Sequence, residues 1–131
     1  IRPIEQIYQK VSNAALKKNN EYFQYNLTFL ETMQYSAYHS ENKGHYGIHV
    51  DNVVRNPKGT NRKLSFSILL NDRSEFEGGD LQYHYTENAV KAETKKNRMV
   101  LFPSYLPHSV SEVTKGTRKA LVGWLNGPNF V

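Results

Sequence analysis

The hydrophobic pattern of this chain changes period once, near residue 20. Before that point Ile4, Ile7, Tyr8, Val11 and Ala15 fall at the i, i+3, i+4 spacing of one helical stripe. Pro3 suits the first turn, Lys17 and Lys18 suit the last, and Asn19-Asn20 is a stop, so a helix is predicted over residues 3–19. From Tyr22 the period is two. Phe23, Tyr25, Leu27 and Phe29 alternate with Gln24, Asn26 and Thr28, and Met33, Tyr35 and Ala37 with Gln34, Ser36 and Tyr38, which predicts two strands. Ser40-Glu41-Asn42-Lys43-Gly44 is a turn by composition, and a further strand follows over residues 46–52.

Residues 52–62 form a polar loop around Asn56-Pro57-Lys58-Gly59, beside whatever the preceding strand carries. Residues 63–70 are a strand with Leu64, Phe66, Ile68 and Leu70 on one face and Ser65, Ser67 and Leu69 on the other. A turn over 71–79 ends in Gly78-Gly79, where the backbone must approach a neighbour closely or adopt positive φ. Strands are then expected over 80–85, 99–102, 108–113 and 118–125, with an edge hairpin about 89–92 and a hairpin turn at Thr114-Lys115-Gly116-Thr117. Arg118, Ala120, Val122 and Trp124 share a face by parity, and Gly127-Pro128 closes the domain. Many short strands behind one leading helix predict a mainly β fold, a sandwich or jelly roll with a cavity between its sheets. No linker or repeat divides the 131 residues, so one domain over 1–131 is expected.

Composition narrows the chemistry. There is no Cys, which excludes disulfides and thiolate metal sites; any metal must be held by His, Asp or Glu. Seventeen basic against twelve acidic residues give a net charge of +5, a solvated basic surface or an attraction for an anionic cosubstrate. Nine Tyr favour an amphipathic pocket lining. No apolar run approaches a membrane span. The chain opens on Ile1 rather than Met, which leaves targeting segments open; the cytoplasm is the default expectation.

The chemistry-bearing stretch is Tyr46-Gly47-Ile48-His49-Val50-Asp51-Asn52. In an extended strand His49 and Asp51 would point to one face, about 7 Å apart along the chain. An imidazole and a carboxylate on one face are two parts of a 2-His-1-carboxylate triad, which suits Fe(II) and leaves coordination positions open. The second His must be His39, His45, His84 or His108, and periodicity does not choose among them. Context favours His108, which opens a strand after a proline turn ten residues before Arg118. An Arg there supplies a bidentate fork for a carboxylate cosubstrate.

H-V-D, R-K-L-S-F-S-I-L-L-N-D, E-G-G-D-L and V-L-F-P-S-Y-L-P-H-S-V-S-E-V-T-K-G-T-R-K-A-L-V-G-W-L-N-G-P, in this order, resemble the Fe(II)- and 2-oxoglutarate-dependent dioxygenases. The prolyl-4-hydroxylase-like branch, including its small bacterial and phage members, is the most similar group, and the resemblance runs from about Tyr25 to the C-terminus. It implies a double-stranded β-helix (a cupin-like jelly roll) with an N-terminal helix. It implies His49, Asp51 and His108 as iron ligands and Arg118 as the partner of the distal carboxylate of 2-oxoglutarate. No protein acid or base beyond the metal ligands is implied for the main step. Tyr38 resembles the tyrosine that members place upstream of H-x-D near the cosubstrate; Ser67 and Leu69 fall on the strand that lines that pocket. Some relatives carry Tyr where Leu69 stands, so a second hydrogen bond to the carboxylate is lost here or supplied by a serine. Trp124 resembles a pocket-wall tryptophan, and Tyr46 is placed at the substrate opening or in packing. His45 and His84 do not fit the pattern and are expected at the surface.

The activity implied is hydroxylation of an unactivated C–H, foremost a prolyl residue in a peptide or protein. O2 would be consumed and succinate and CO2 released, with ascorbate as an optional auxiliary. Hydroxylation of a free amino acid or other small molecule is an alternative. Nucleic-acid oxidative dealkylation is less favoured, because such enzymes carry a further arginine where Ala120-Leu121-Val122-Gly123-Trp124-Leu125 stands. A jelly-roll binding module without turnover is the remaining class.

Overall fold

The structure is a computed structural model and describes residues 1–52 and 59–130. The helix α1 spans Pro3–Lys18, with Pro3 in its first turn and Lys17 and Lys18 in its last. The α-helix ends at Lys18, and the chain widens into a π-turn over Asn19–Phe23, where the buried Asn19 side chain brackets Tyr25, accepting from its N–H at 3.0 Å and donating to its carbonyl at 2.9 Å. Of the predicted stripe, Val11 and Ala15 are buried, while Ile4 and Ile7 remain exposed.

Ten strands follow among the described residues: β1 (Phe29–Leu30), β2 (Gln34–His39), β3 (Tyr46–His49), β4 (Thr60–Leu69), β5 (Phe76–Gly78), β6 (Leu81–Tyr83), β7 (Val90–Lys91), β8 (Met99–Pro103), β9 (His108–Val110) and β10 (Val113–Pro128). The major sheet has the order β1-β10-β4-β8, with β2 and β5 also paired to β10; the minor sheet runs β3-β9-β6-β7. All named strand pairs are antiparallel, and the two sheets enclose a cavity in a jelly-roll arrangement.

Three expectations are corrected. The alternation over 22–29 does not form a strand. Phe23, Tyr25 and Leu27 do turn inward onto the core, but ladder pairing begins only at Phe29, opposite Asn126. The predicted hairpin turn at 114–117 is instead part of one continuous strand. β5 pairs with Val113, Lys115 and Gly116, so the backbone there has ladder partners and need not reverse. Gly116 permits this passage: its φ is +73°, and a Cβ would lie 2.2 Å from the Glu75 carbonyl oxygen. Finally, β4 begins at Thr60, so the end of the predicted 52–62 loop belongs to the sheet; residues 53–58 lie outside the described residues. The predicted edge hairpin appears as β7, which pairs with Gln82 and Tyr83.

The main core lies on the outer face of the major sheet. Val11 and Ala15 of α1 are buried there with Leu64, Phe66 and Leu125. A smaller cluster of Leu69, Phe76 and Val113 lies beneath Tyr38. The cavity is on the opposite face.

Candidate metal centre

The minor sheet brings two imidazoles together. The register of β3 on β9 sets His49 directly opposite His108, with ring centroids 4.2 Å apart. Asp51 arrives differently from the sequence expectation. The strand ends at His49, and the chain bends at Asp51, whose N–H donates to the Ser104 carbonyl at 2.8 Å. That bend draws the carboxylate back toward the rings. His49 Nε2 lies 3.3 Å from Asp51 Oδ1, and His108 Nε2 lies 3.4 Å from Oδ2. One ligand atom from each of the three residues falls within 4.8 Å of the others.

The donor chemistry fits a divalent cation. His49 Nδ1 is 2.7 Å from the Gly47 carbonyl, and His108 Nδ1 is 2.8 Å from the Leu106 carbonyl. A carbonyl only accepts, so both Nδ1 atoms carry a proton, and each ring turns its Nε2 to the shared point, the atom it would offer a metal. A proton on His108 Nε2 would answer one of these contacts, but a metal ion answers all three atoms at once and displaces that proton. Asp51 is buried and ionised. Burial alone would raise its pKa, but hydrogen bonds from His108, Ser65 and Trp124 outweigh it and hold the carboxyl down to about 2.

The major sheet furnishes the facing wall. The cavity, about 420 Å³, is lined by His49, Asp51 and His108 and, across from them, by Tyr38, Ser67, Arg118 and Trp124. Arg118 is 3% exposed. Its Nε has no hydrogen-bond partner, and no carboxylate among the described residues forms an ion pair with it. Burial pushes its pKa down; Tyr38 and Asp80 oppose that, and Arg73 adds to it. An arginine remains charged under such a shift, so this is a buried cation awaiting an anion. Its stem crosses the E-G-G-D turn, where a Cβ on Gly79 (φ +61°) would come within 2.9 Å of Arg118 Cδ. The Tyr38 ring lies 6.0 Å from the guanidinium, and burial raises its phenol pKa, against the pull of Arg118.

The remaining predicted positions divide. Ser67 and Trp124 line the cavity, whereas Leu69 does not; it is buried in the cluster beneath Tyr38. Trp124 acts on the ligand set as well as on the wall, because its indole helps hold the Asp51 carboxyl down, while the Arg62 guanidinium covers its ring at 3.9 Å. Tyr46 stacks on His49 at 3.9 Å and is half exposed at the cavity mouth. His39 and His45 are exposed, and His84 contacts the Ser109 hydroxyl at 2.7 Å; none joins the cluster. Sequence reasoning missed Ser65, Ser104 and Arg62. Ser65 shares the parity of Ser67, which was the available signal; nothing in the local pattern marks Ser104.

Comparison with known proteins agrees with this geometry. The model of the 2OG-Fe(II) oxygenase superfamily matches residues 33–126. The chain belongs to that superfamily. Its family chemistry accordingly uses Fe(II), 2-oxoglutarate and O2. A PKHD-type hydroxylase of Prochlorococcus marinus is 38% identical over 80 residues, 61% of this chain and 35% of that protein. The chain thus spans about a third of the length of the curated relatives it matches. Among solved structures, a Pseudomonas putida prolyl-4-hydroxylase superposes with a TM-score of 0.74 at 22% identity, covering 98% of this chain and 67% of that one. A prolyl hydroxylase from Trichoplax adhaerens, in complex with a hypoxia inducible factor peptide fragment, gives 0.72 at 23% identity, covering 93% and 55%. These likenesses show the fold. No helix among the described residues is long and apolar enough to cross a membrane.

Proposed function

We propose that this oxygenase hydroxylates an unactivated C–H of a prolyl residue in a peptide or protein, consuming O2 and 2-oxoglutarate and releasing succinate and CO2. The observation that carries this reading is the convergence of His49, Asp51 and His108 in one cavity with a buried Arg118 that forms no ion pair among the described residues. In it, His49 Nε2, His108 Nε2 and the Asp51 carboxylate would hold Fe(II), and Arg118 would hold the distal carboxylate of the keto acid. The iron, with 2-oxoglutarate and O2, supplies the oxidising chemistry when bound. The protein's residues orient and exclude. Carbonyl-anchored Nδ1–H groups fix both rings, Tyr38 and Ser67 border the cosubstrate pocket, and Trp124 walls it. Tyr46, stacked on His49 at the mouth, is placed to meet a substrate side chain.

The prolyl assignment is supported by the kind of relative the chain resembles, PKHD-type and prolyl-4-hydroxylase-like proteins, and not by a recognition code in its own residues. A free amino acid or another small molecule is the second substrate class. The test is substrate-stimulated succinate formation with iron, ascorbate and 2-oxoglutarate. Proline-rich peptides, free amino acids and methylated oligonucleotides are screened, and mass spectrometry reads a product heavier by one oxygen. Hydroxylated peptide is expected. Turnover confined to the oligonucleotides would overturn the substrate class; no succinate or O2 uptake with any of them would favour the binding-module reading.

A further inference from the structure

We infer that a relay of two serine hydroxyls, Ser104 to Ser65 to Asp51, dedicates carboxylate oxygen Oδ2 to the protein and leaves Oδ1 as the single oxygen for the metal. The inference rests on the metal-centre reading above and goes beyond it, to how one ligand is made monodentate.

Ser65 Oγ lies 2.7 Å from Asp51 Oδ2 and 2.9 Å from Ser104 Oγ. The direction of the relay is forced. An ionised carboxylate only accepts, so the one proton of Ser65 is committed to Oδ2, and its oxygen must accept from Ser104. At 2.7 Å the Ser65 bond lies within the range of charge-assisted hydroxyl-to-carboxylate bonds, whereas the His108 Nε2 contact to the same oxygen, 3.4 Å, is longer than a good charge-assisted bond. Oδ1 is the oxygen turned toward His49 Nε2.

The relay is held rigidly. Ser65 and Ser104 are 1% and 0% exposed, so water does not compete for either hydroxyl. Strand parity sends Ser65 into the cavity, and β8 pairs with β4 through Ser65 opposite Phe102 and Leu64 opposite Pro103, which sets Ser104 just past the ladder. There the Ser104 N–H donates to the Lys63 carbonyl at 3.0 Å, and its carbonyl accepts the Asp51 N–H at 2.8 Å. Ser104 therefore grips Asp51 twice, through the backbone and through Ser65. Aligned hydroxyls polarise one another, which strengthens the terminal bond. The consequence is chemical. A carboxylate free to chelate through both oxygens would occupy a position that the keto acid or O2 requires; an Oδ2 already bonded does not.

Co(II), which does not react with O2 as Fe(II) does, is the probe. Metal-free protein labelled with ¹³C-Asp is titrated with Co(II) while binding and the infrared difference spectrum are recorded. A carboxylate bound through one oxygen shows a wide separation of its asymmetric and symmetric stretches, and a chelating one a narrow separation. The wild type should bind one equivalent with the wide separation. Ser65→Ala should narrow the separation and weaken Co(II) by about 10- to 100-fold, the usual effect of losing a group that orients a metal ligand. Ser65→Thr should restore both. Ser104→Ala, acting through Ser65, should do less, and the double variant should be no weaker than Ser65→Ala alone to within about twofold, since coupled groups do not add. A folded Ser65→Ala protein that keeps the wild-type separation overturns the inference, as does additivity in the double variant. If Ser65→Ala fails to fold, Ser104→Ala decides: a wild-type spectrum and affinity there overturn it equally. A wild type that binds no Co(II) at all discards the metal-centre reading itself, an outcome distinct from the others.

Discussion

On one face of β4, Leu64 and Phe66 are buried in a cluster with Val11 and Ala15 of α1; on the other, Ser65 and Ser67 are just as buried, but against a carboxylate and a cavity. β10 repeats the contrast, with Leu125 in the core while Arg118 and Trp124 line the cavity. The apolar face supplies stability through burial and shape, and it tolerates exchange of one hydrophobe for another of similar volume. The polar face gains little from burial. Each of its groups needs a partner, and the partners are a carboxylate, another hydroxyl, or, for Arg118, an anion from outside. A one-residue slip of β4 on β10 would exchange the two faces, so register carries function here as much as stability.

Substitutions on the two faces should therefore fail in different ways. The largest effect belongs to the ligands. His49→Ala, Asp51→Ala or His108→Ala should abolish substrate-coupled succinate formation while the protein still folds, as read by circular dichroism; turnover retained in any of them would count against its assignment. Next, Arg118→Ala should raise the 2-oxoglutarate requirement by an amount equivalent to about 2–5 kcal/mol, leaving Co(II) affinity nearly unchanged. An unaltered requirement would mean another cation holds the carboxylate. Leu64→Ala, one residue from Ser65 but on the core face, should cost about 2–5 kcal/mol of unfolding free energy in urea while the folded fraction keeps its metal affinity. Loss of affinity without loss of stability would erase the distinction between the faces.

The smallest effect lies where the faces meet. Glu31 takes both Arg62 Nε and Nη2, at 2.8 and 2.9 Å, and the Asn126 amide at 2.7 Å. Burial would raise its pKa, but the Arg62 and Asn126 hydrogen bonds outweigh it and lower the value from 4.5. A carboxylate lowered in the folded state stabilises it above its unfolded pKa, and that stability is lost as pH falls through the folded one. Glu31→Gln should cost about 1–2 kcal/mol at pH 7 and flatten the fall of Tm with acid below about pH 5. A variant whose Tm falls as steeply as wild type would show that Glu31 does not carry that part of the acid sensitivity.

With no Cys, a metal had to be held by His, Asp or Glu, but periodicity left four histidines open beside the H-x-D pair; the choice of His108 came from its context before Arg118 and from the resemblance of the ordered motifs to the dioxygenases. The sequence could not show how Asp51 reaches the rings. Strand geometry separates the pair, and only the bend after His49 and the Ser104 carbonyl bring them together. Alternation over 22–29 reported the inward turn of Phe23, Tyr25 and Leu27, though not the exposure of Phe29; packing inward does not require a ladder partner, and none is there until Phe29. In β2 the rule that apolar residues face inward inverts: Gln34, Ser36 and Tyr38 line the cavity while Tyr35 is exposed. Gly116 read as a turn because positive φ is what turns use, yet here it lets a long strand pass the Glu75 carbonyl. Parity also carried Leu69 to the cavity side, but the strand has by then passed the cavity and reached the cluster of Phe76 and Val113.

Titration of the metal-free protein with Mn(II), followed by electron paramagnetic resonance, tests the convergence of the three ligands most directly. One equivalent should bind per chain, and the bound signal should shift when 2-oxoglutarate is added. In His108→Ala, which removes the ligand supplied by the neighbouring strand β9, saturable binding should disappear. A wild-type titration without a one-to-one end point, or a His108→Ala protein that binds Mn(II) as tightly as wild type, would contradict the account.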